Sequence, residues 1–450
     1  MITVVQAYQF ALDPRPAQDA ELRSHCGGQR FAFNWGLARV KANLDQRAAE
    51  KSYDIPDDQL TPSVSWSAYS LRKDWNQAKD ELAPWWTENS KEAYSSGLAH
   101  LATALKNWAD SRTGKRRGPT VRFPRFKGKR NALSCRFSTG AFGLSEADRR
   151  HVKLPRIGLV RTHESTRKLA RYVERGAARI RSATVSHRRG RWFVSFSVEI
   201  TRAEAAPTRP GTALGVDLGM KSLAVLSSGE VIANPKHLEI AQRELRRLQR
   251  QAARRHGPDR RTKTAPSGRW RKTRARLARL HTAVANARRD GLHKLSTRLV
   301  RTFGAIVLED LNVSGMTRNR RLARHVAGVG MAELRRQVEY KARWAGVHVR
   351  VADRWYPSSK TCSACGAVKA KLRLSERIYT CDQCGLVLDR DLNAARNLAA
   401  LVSVVTDGGG GELRRDSPME THLRRPLAAQ RVPPREGPSG QRQRGDASAT

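Results

Sequence analysis

The rhythm of apolar and polar positions divides this chain into blocks. Ile2-Thr-Val-Val-Gln-Ala-Tyr-Gln-Phe10 reads as a β-strand. From about Ala17 to Ala109 apolar residues recur at helical spacing, as in Phe33, Leu37 and Val40, then Leu98, Leu101 and Leu105. Near residues 180–185 and 192–200 the period becomes two: Trp192, Val194, Phe196, Val198 and Ile200 face one way, Ser195, Ser197 and Glu199 the other. Arg188-Arg-Gly190 between these runs reads as a hairpin turn. The first half therefore predicts a small β-barrel interrupted by a helical insertion. Thr201 to Gly211 has the Pro and Ala content of a linker. Beyond it, strand-like runs at Ala213–Val216, Ser222–Leu226, Ala305–Leu308 and Val347–Val351 alternate with helical pattern, which predicts an α/β layer. The helical stretch from about His237 to Thr302 is very basic and is broken at Gly257-Pro258 and Pro266-Ser-Gly268. After Thr406, a run of glycines, repeated Arg and Pro and no aromatic residue predict a disordered basic tail.

Charge narrows the function. The 85 Lys and Arg against 41 Asp and Glu give a formal net charge of +44 over 450 residues. Such an excess repels itself in a compact state, and a polyanion relieves it. Nucleic acid is the expected partner, since each neutralised phosphate releases counterions. A membrane is not expected, because no run approaches the ~20 apolar residues of a spanning helix. The N-terminus carries no basic leader followed by an apolar stretch, so no signal peptide is expected and the expected location is cytoplasmic. Aromatic and basic residues interleave in the helical block (Arg30, Phe31, Trp35, Trp75, Trp85, Trp86, Trp108). Such mixtures can stack on bases, but aromatics in amphipathic helices more often make core, which is the expectation for most of these.

Four of the six cysteines form two close pairs, Cys362-Ser-Ala-Cys365 and Cys381-Asp-Gln-Cys384, each followed by a glycine. Zn²⁺ takes four thiolates in a tetrahedron, and a Cys-x-x-Cys turn presents two of them. Two matched pairs point to one structural zinc in a reducing compartment rather than to disulfides or a redox pair. Cys26 and Cys135 are expected as buried free thiols.

Three acids stand at element ends: Asp217 after Ala-Leu-Gly-Val, Glu309 after Ala-Ile-Val-Leu, and Asp391 opening a helix whose Leu392, Ala395 and Ala399 are expected to form one face. An Asp after a strand is usually a turn residue or a cap. Three carboxylates converging from distant segments are instead what two-metal phosphodiester hydrolysis requires, with hard Mg²⁺ ions on oxygen ligands.

At these residues the sequence resembles the TnpB (OrfB) family of transposon-encoded proteins and the related compact type V CRISPR effectors. The matching segments are Arg30-Phe-Ala-Phe-Asn-Trp35, Phe123-Pro-Arg-Phe-Lys127, Val152-Lys-Leu-Pro-Arg-Ile-Gly158, Gly215-Val-Asp-Leu-Gly219, Arg288-Arg-Asp-Gly-Leu-His-Lys294, Leu308-Glu-Asp-Leu-Asn312, Tyr340-Lys341, and Tyr356-Pro-Ser-Ser-Lys-Thr-Cys362 through Asn397. Their order along the chain is more specific than any one of them.

The resemblance implies an α/β multidomain fold, with an RNase H-like (RuvC) nuclease domain carrying an inserted zinc ribbon. An oligonucleotide-binding-like wedge β-barrel, interrupted by a helical recognition lobe, precedes it. The implied boundaries are 1–12 for the first barrel strand, 13–115 for the lobe and 116–205 for the barrel. The nuclease domain would then span 211–354, the ribbon 355–388, the last nuclease helix 389–405 and the tail 406–450.

The resemblance also implies an activity. A guide RNA pairs with one strand of target double-stranded DNA beside a short flanking motif, and the nuclease domain cuts. Asp217, Glu309 and Asp391 fill the family's catalytic positions and would hold two Mg²⁺; Asp310 and Asp389 are neighbours only. Arg246, Arg247, Arg250, Arg254 and Arg255 are expected against a guide RNA or heteroduplex, and Arg122, Arg125, Lys127 and Lys129 against RNA or flanking duplex. A nuclease-inactive RNA-guided regulator and an unguided RuvC-like nuclease are the alternatives. The intact acidic trio counts against the first, and the long helical N-terminal half against the second.

Overall fold

The period-two run at 192–200 builds the strand it predicts, with Trp192, Val194, Phe196, Val198 and Ile200 buried and their neighbours half-buried. The computed structural model describes residues 1–406 apart from Arg130, Asn131, Glu204, Ala205, Arg260, Lys263 and Leu374. The tail expected beyond Thr406 lies outside the described residues.

Strand β1 (Ile2–Asp13) leads into helices α1 (Pro16–Ser52), α2 (Ala68–Leu82) and α3 (Lys91–Arg112). Strands β2 (Ser134–Phe137), β3 (Gly143–Leu144), β4 (His151–Leu154) and β5 (Gly158–Thr162) follow, then α4 (Arg167–Glu174), β6 (Ala178–Arg188) and β7 (Arg191–Arg202). The hairpin turn is the pair Arg189-Gly190, with φ of 52° and 79°; two left-handed residues match the twist of the strands they join.

These strands form one antiparallel sheet in the order β2-β6-β7-β1-β5-β4-β3. The expected barrel is therefore not closed by hydrogen bonds, since β2 and β3 stand at opposite edges. Its interior is completed from the helical block instead: Leu22 and Cys26 of α1 and Ala93 of α3 join the core of Phe10, Phe137, Val160 and Phe196. Cys26 and Cys135 are buried here as free thiols, and burial pushes the Cys26 thiol up to about 12. In the helical lobe, Leu37, Leu71, Trp75, Tyr94 and Leu98 share a second core, and Trp75 stacks on Tyr94 with ring centroids 5.1 Å apart. Helices α1 and α3 touch backbone to backbone: a Cβ on Gly97 would lie 2.3 Å from the Gln29 carbonyl.

The second half is built from β8 (Arg209–Asp217), β9 (Ser222–Leu226), β10 (Val231–Ala233), α5 (His237–Ile240), α6 (Gln242–Ala253) and α7 (Gly268–Thr302). After them come β11 (Phe303–Leu308), α8 (Val313–Met316), α9 (Ala323–Val329), α10 (Met331–Ala345) and β12 (His348–Val351). The hairpin β13 (Ile378–Thr380) and β14 (Val387–Asp389) precedes α11 (Arg390–Thr406). The expected linker is shorter than its composition suggests, because Arg202 still pairs with Ile2 and Arg209 already pairs with Phe303.

The second sheet has the order β10-β9-β8-β11-β12, with β8, β11 and β12 parallel. Strand β11 is buried throughout, as an apolar run inside a covered parallel sheet must be. On one face, Ile306 and Leu308 pack with Leu295 and Leu299 of α7 and Leu334 and Val338 of α10; on the other, Ala305 and Val307 meet Leu398 and Val402 of α11. Lys341 staples α10 to α7 by donating to the His293 carbonyl and to the hydroxyls of Ser296 and Thr297, at 2.7–2.8 Å. Among the described residues, no helix is long and apolar enough to cross a membrane.

Candidate active site and metal centre

Strands β8 and β11 run parallel, with Val216 opposite Leu308 at their last pair, so Asp217 and Glu309 leave the same end of the sheet side by side. Open α/β sheets bind ligands at that end. The third acid arrives on α11, which lies directly on β8. At Gly215 a Cβ would fall 1.9 Å from the Ala395 carbonyl oxygen and 2.6 Å from the Ala399 nitrogen. Only glycine admits that approach. Gly215→Ala is expected to push α11 off the strand, destabilising the fold by about 3 kcal/mol, the upper end of overpacking costs. An unchanged melting temperature would count against this contact.

The three carboxylates feel one another. Burial, then Glu309 and Asp391, push the Asp217 carboxyl up to about 8, against the pull of Arg390. Burial also raises Glu309; the Ser358 hydroxyl opposes this and Asp391 adds to it. Crowded, half-buried carboxyls of this kind lose charge unless a cation relieves them, and a hard cation on oxygen ligands would do so. The cluster's oxygens are spread more widely than one ion's ligand set: among the described residues, only the four cysteines bring their ligand atoms within 4.8 Å of one another.

The neighbouring acids have other work. Asp389 caps α11, its Oδ1 accepting from the Asp391 and Leu392 nitrogens at 2.9 and 3.0 Å. Asp310 bridges Arg335 and Arg354, each at 2.6 Å. Those two arginines and Arg336 line a cleft of about 360 Å³ that opens onto Glu309. A larger hollow of about 610 Å³, lined by Arg30, Phe31, Trp35 and Trp85, belongs to the helical lobe and touches none of the three acids.

Helix α11 differs from expectation in its buried face. Ala394, Ala395 and Leu398 are buried together with Asn393 and Asn397, while Leu392 and Ala399 are only partly covered. The two asparagines were not expected at the site. Their four-residue spacing on an otherwise apolar helix face is the signal that marks them, because buried amides need partners.

The cysteines form two matching turns. Cys362 and Cys381 each donate their backbone N–H five residues on, to Ala367 and Leu386, and each accepts from the glycine four residues on. Gly366 and Gly385 have φ of 76° and 72°, which curls each loop around its sulfurs. Cys362 lies 3.6 Å from Cys384, and Cys365 3.6 Å from Cys381. These distances exceed a disulfide bond and match the ~3.8 Å edge of a tetrahedron with ~2.3 Å metal–sulfur bonds. Backbone N–H groups of Cys384 and Gln383 favour the Cys381 thiolate and hold this thiol below its usual range. The residues present fit a four-thiolate metal centre.

The predicted nucleic-acid residues divide. Arg122, Arg125 and Lys129 are exposed on an irregular segment, and Arg246, Arg250 and Arg254 on the outer side of α6, opposite Leu245 and Leu248. Arg247 is exposed but forked to Glu244 at 2.6 Å. Lys127 and Arg255 are spent inside the protein. The Lys127 ammonium sits 3.7 Å from the Phe33 ring centre, and Arg255 bonds the Arg269 carbonyl and the Thr273 hydroxyl.

Known proteins resemble this chain along most of its length. A Mycobacterium tuberculosis protein named an RNA-guided DNA endonuclease is 39% identical over 415 residues, 88% of this chain and 86% of its own. This chain belongs to the TnpB (OrfB) family. Other TnpB-family relatives are a Streptomyces pristinaespiralis protein, 35% identical over 93% of this chain and 94% of its own, and an Escherichia coli K12 protein, InsQ, 31% identical over 88% and 92%, both likewise named as RNA-guided DNA endonucleases. The OrfB_IS605 "Probable transposase" profile matches residues 195–320, and a Cas12f1-like TNB-domain profile matches 332–398. A family profile described as a helix-turn-helix domain covers 1–48, where this chain forms strand β1 and most of the single helix α1. A solved Cas12f1–sgRNA–target DNA complex aligns over 88% of this chain and 99% of its own at 13% identity, with a loose TM-score of 0.47.

Proposed function

We propose that this protein is an RNA-guided DNA endonuclease that cuts at Asp217, Glu309 and Asp391. The observation carrying this reading is the convergence of three mostly buried carboxylates from β8, the end of β11 and α11 beside an arginine-lined cleft. The relatives' names support it, as does the basic surface. Helix α7 alone carries eleven Lys and Arg against one acid, Asp290, far more positive charge than internal ion pairs can use. A protein holding a heteroduplex by its backbone needs such cations and little base-specific chemistry.

In this reading the second sheet with α7, α10 and α11 is the RNase H-like (RuvC) domain, and residues 355–388 are a zinc ribbon folded around Cys362, Cys365, Cys381 and Cys384. The helical lobe and first sheet would hold guide RNA and target DNA, with Arg122, Arg125, Lys129, Arg246, Arg250 and Arg254 on phosphates. The protein's own contribution to cutting is positional. Asp217 and Glu309 are fixed by the ends of paired strands, and Asp391 by a capped helix packed on Gly215. Asp217, Glu309 and Asp391 are the residues to hold two magnesium ions, which when bound activate the attacking water and steady the leaving oxygen.

The test is to purify the chain from cells carrying its native flanking DNA and to sequence the RNA that accompanies it. One discrete RNA with a constant scaffold, directing cuts in matched duplex, is the expected result. A heterogeneous mixture that directs no cutting would overturn the reading.

A further inference from the structure

Between β12 and β13 the chain leaves the sheet for the cysteine centre, and Ser358 lies on this passage, 5% exposed. It is bonded in two directions. Its hydroxyl donates to Glu309 Oε1 at 2.9 Å, while its carbonyl accepts from Asn397 Nδ2 at 2.8 Å. Asn397 Nδ2 also reaches the Thr361 carbonyl at 2.6 Å. Asn393 donates to that same carbonyl at 2.6 Å and accepts from the Ser363 nitrogen at 2.9 Å. Ser363 follows Cys362 directly, so the amides of α11 grip the first cysteine turn. Asn393 and Asn397 are 0% and 4% exposed on the face of α11 that otherwise carries Ala394, Ala395 and Leu398.

Packing alone does not call for this arrangement. An apolar side chain would fill either asparagine position without the cost of burying an amide. The amides instead tie three things together: the helix bearing Asp391, the turn bearing Cys362, and the serine holding Glu309. A glutamate has more rotatable bonds than an aspartate, so its carboxylate needs an external hold to keep one oxygen turned toward the cluster. Fixed partners of this kind raise a ligand's affinity for its metal.

We propose that Ser358 is a positioning residue for Glu309, and that Asn393 and Asn397 make its placement depend on how the cysteine centre is seated. The ribbon then sets the carboxylate spacing as well as folding its own segment. This rests on reading the acidic cluster as a divalent-cation site.

The experiment titrates Mn²⁺ into the full-length protein–RNA complex, read by electron paramagnetic resonance, for the wild type, Ser358→Ala, Ser358→Thr and Asp217→Asn. Zinc content and melting temperature are measured alongside. Asp217→Asn identifies the binding that belongs to the cluster. For that component Ser358→Ala is expected to weaken Mn²⁺ roughly tenfold or more, with zinc content and melting temperature unchanged, and Ser358→Thr to restore it. Cleavage by Ser358→Ala should need correspondingly more Mg²⁺ and return to the wild-type rate when Mg²⁺ saturates. Wild-type Mn²⁺ affinity in Ser358→Ala, or a loss matched by a lower melting temperature and not rescued by Thr, overturns the inference while the cluster reading stands. Equal Mn²⁺ binding by wild type and Asp217→Asn overturns the cluster reading itself.

Discussion

Asp217→Asn is expected to abolish DNA cleavage, leave RNA binding intact, and make the metal-free protein more stable. The first effect follows from removing a central ligand of the cation site. Losing several kcal/mol of stabilisation slows cutting about 10³-fold or more. The last follows from burial. The Asp217 carboxyl, pushed up from 3.8 to about 8, keeps a proton that the unfolded chain has already released. What this group contributes to folding is complete below pH ~4 and is lost as pH rises through 8, where an ionised carboxylate must face Glu309 and Asp391. An amide carries no such dependence. The gain in melting temperature should therefore be larger at pH 8 than at pH 5. Cleavage within ~10-fold of wild type would remove Asp217 from the site, and a melting temperature lowered at both pH values would contradict the electrostatic account.

Cys381→Ser, or a strong chelator, is expected to release one zinc per chain and to unfold residues 358–389 locally. The segment's own apolar core is small, being Cys362, Tyr379 and Cys381 with Ala367, Leu372 and Leu386 partly covered, and the amide bonds from α11 reach only its first turn. Structural zinc contributes on the order of 10 kcal/mol to small domains of this kind. Hydrogen exchange across the segment should approach unfolded-chain rates after chelation, while exchange in β11 and α7 stays slow. Protection that survives chelation, or a purified protein without zinc, would exclude a structural metal.

How far the fold could be read beforehand depended on whether a feature is local. Alternation at 192–200, helical spacing at 98–105 and the paired Cys-x-x-Cys turns each report on a few neighbouring residues, and each appears as expected. Acids after apolar strands were legible as candidates because parallel strands deliver their ends to one side. Long-range closure was not legible. Nothing in the spacing of β2 or β3 shows that α1 and α3 complete the interior of the first sheet. Nor does a basic residue's type show where its charge goes, as Lys127 over Phe33 and Arg255 on Thr273 illustrate. The spacing of Asn393 and Asn397 on an apolar helix face marks them as in need of partners, but not which partners, and these lie thirty or more positions earlier.

The seating of α11 on Gly215 also bears on the order in which the protein is made. Sheet strands β8 to β12 leave the ribosome long before the helix that carries Asp391, and chains fold from the N-terminus as they emerge. Until that last helix docks, two carboxylates stand at the sheet end without the third. A chain cut short before α11 thus lacks an acid of the trio, and the cluster is complete only after synthesis has passed this helix.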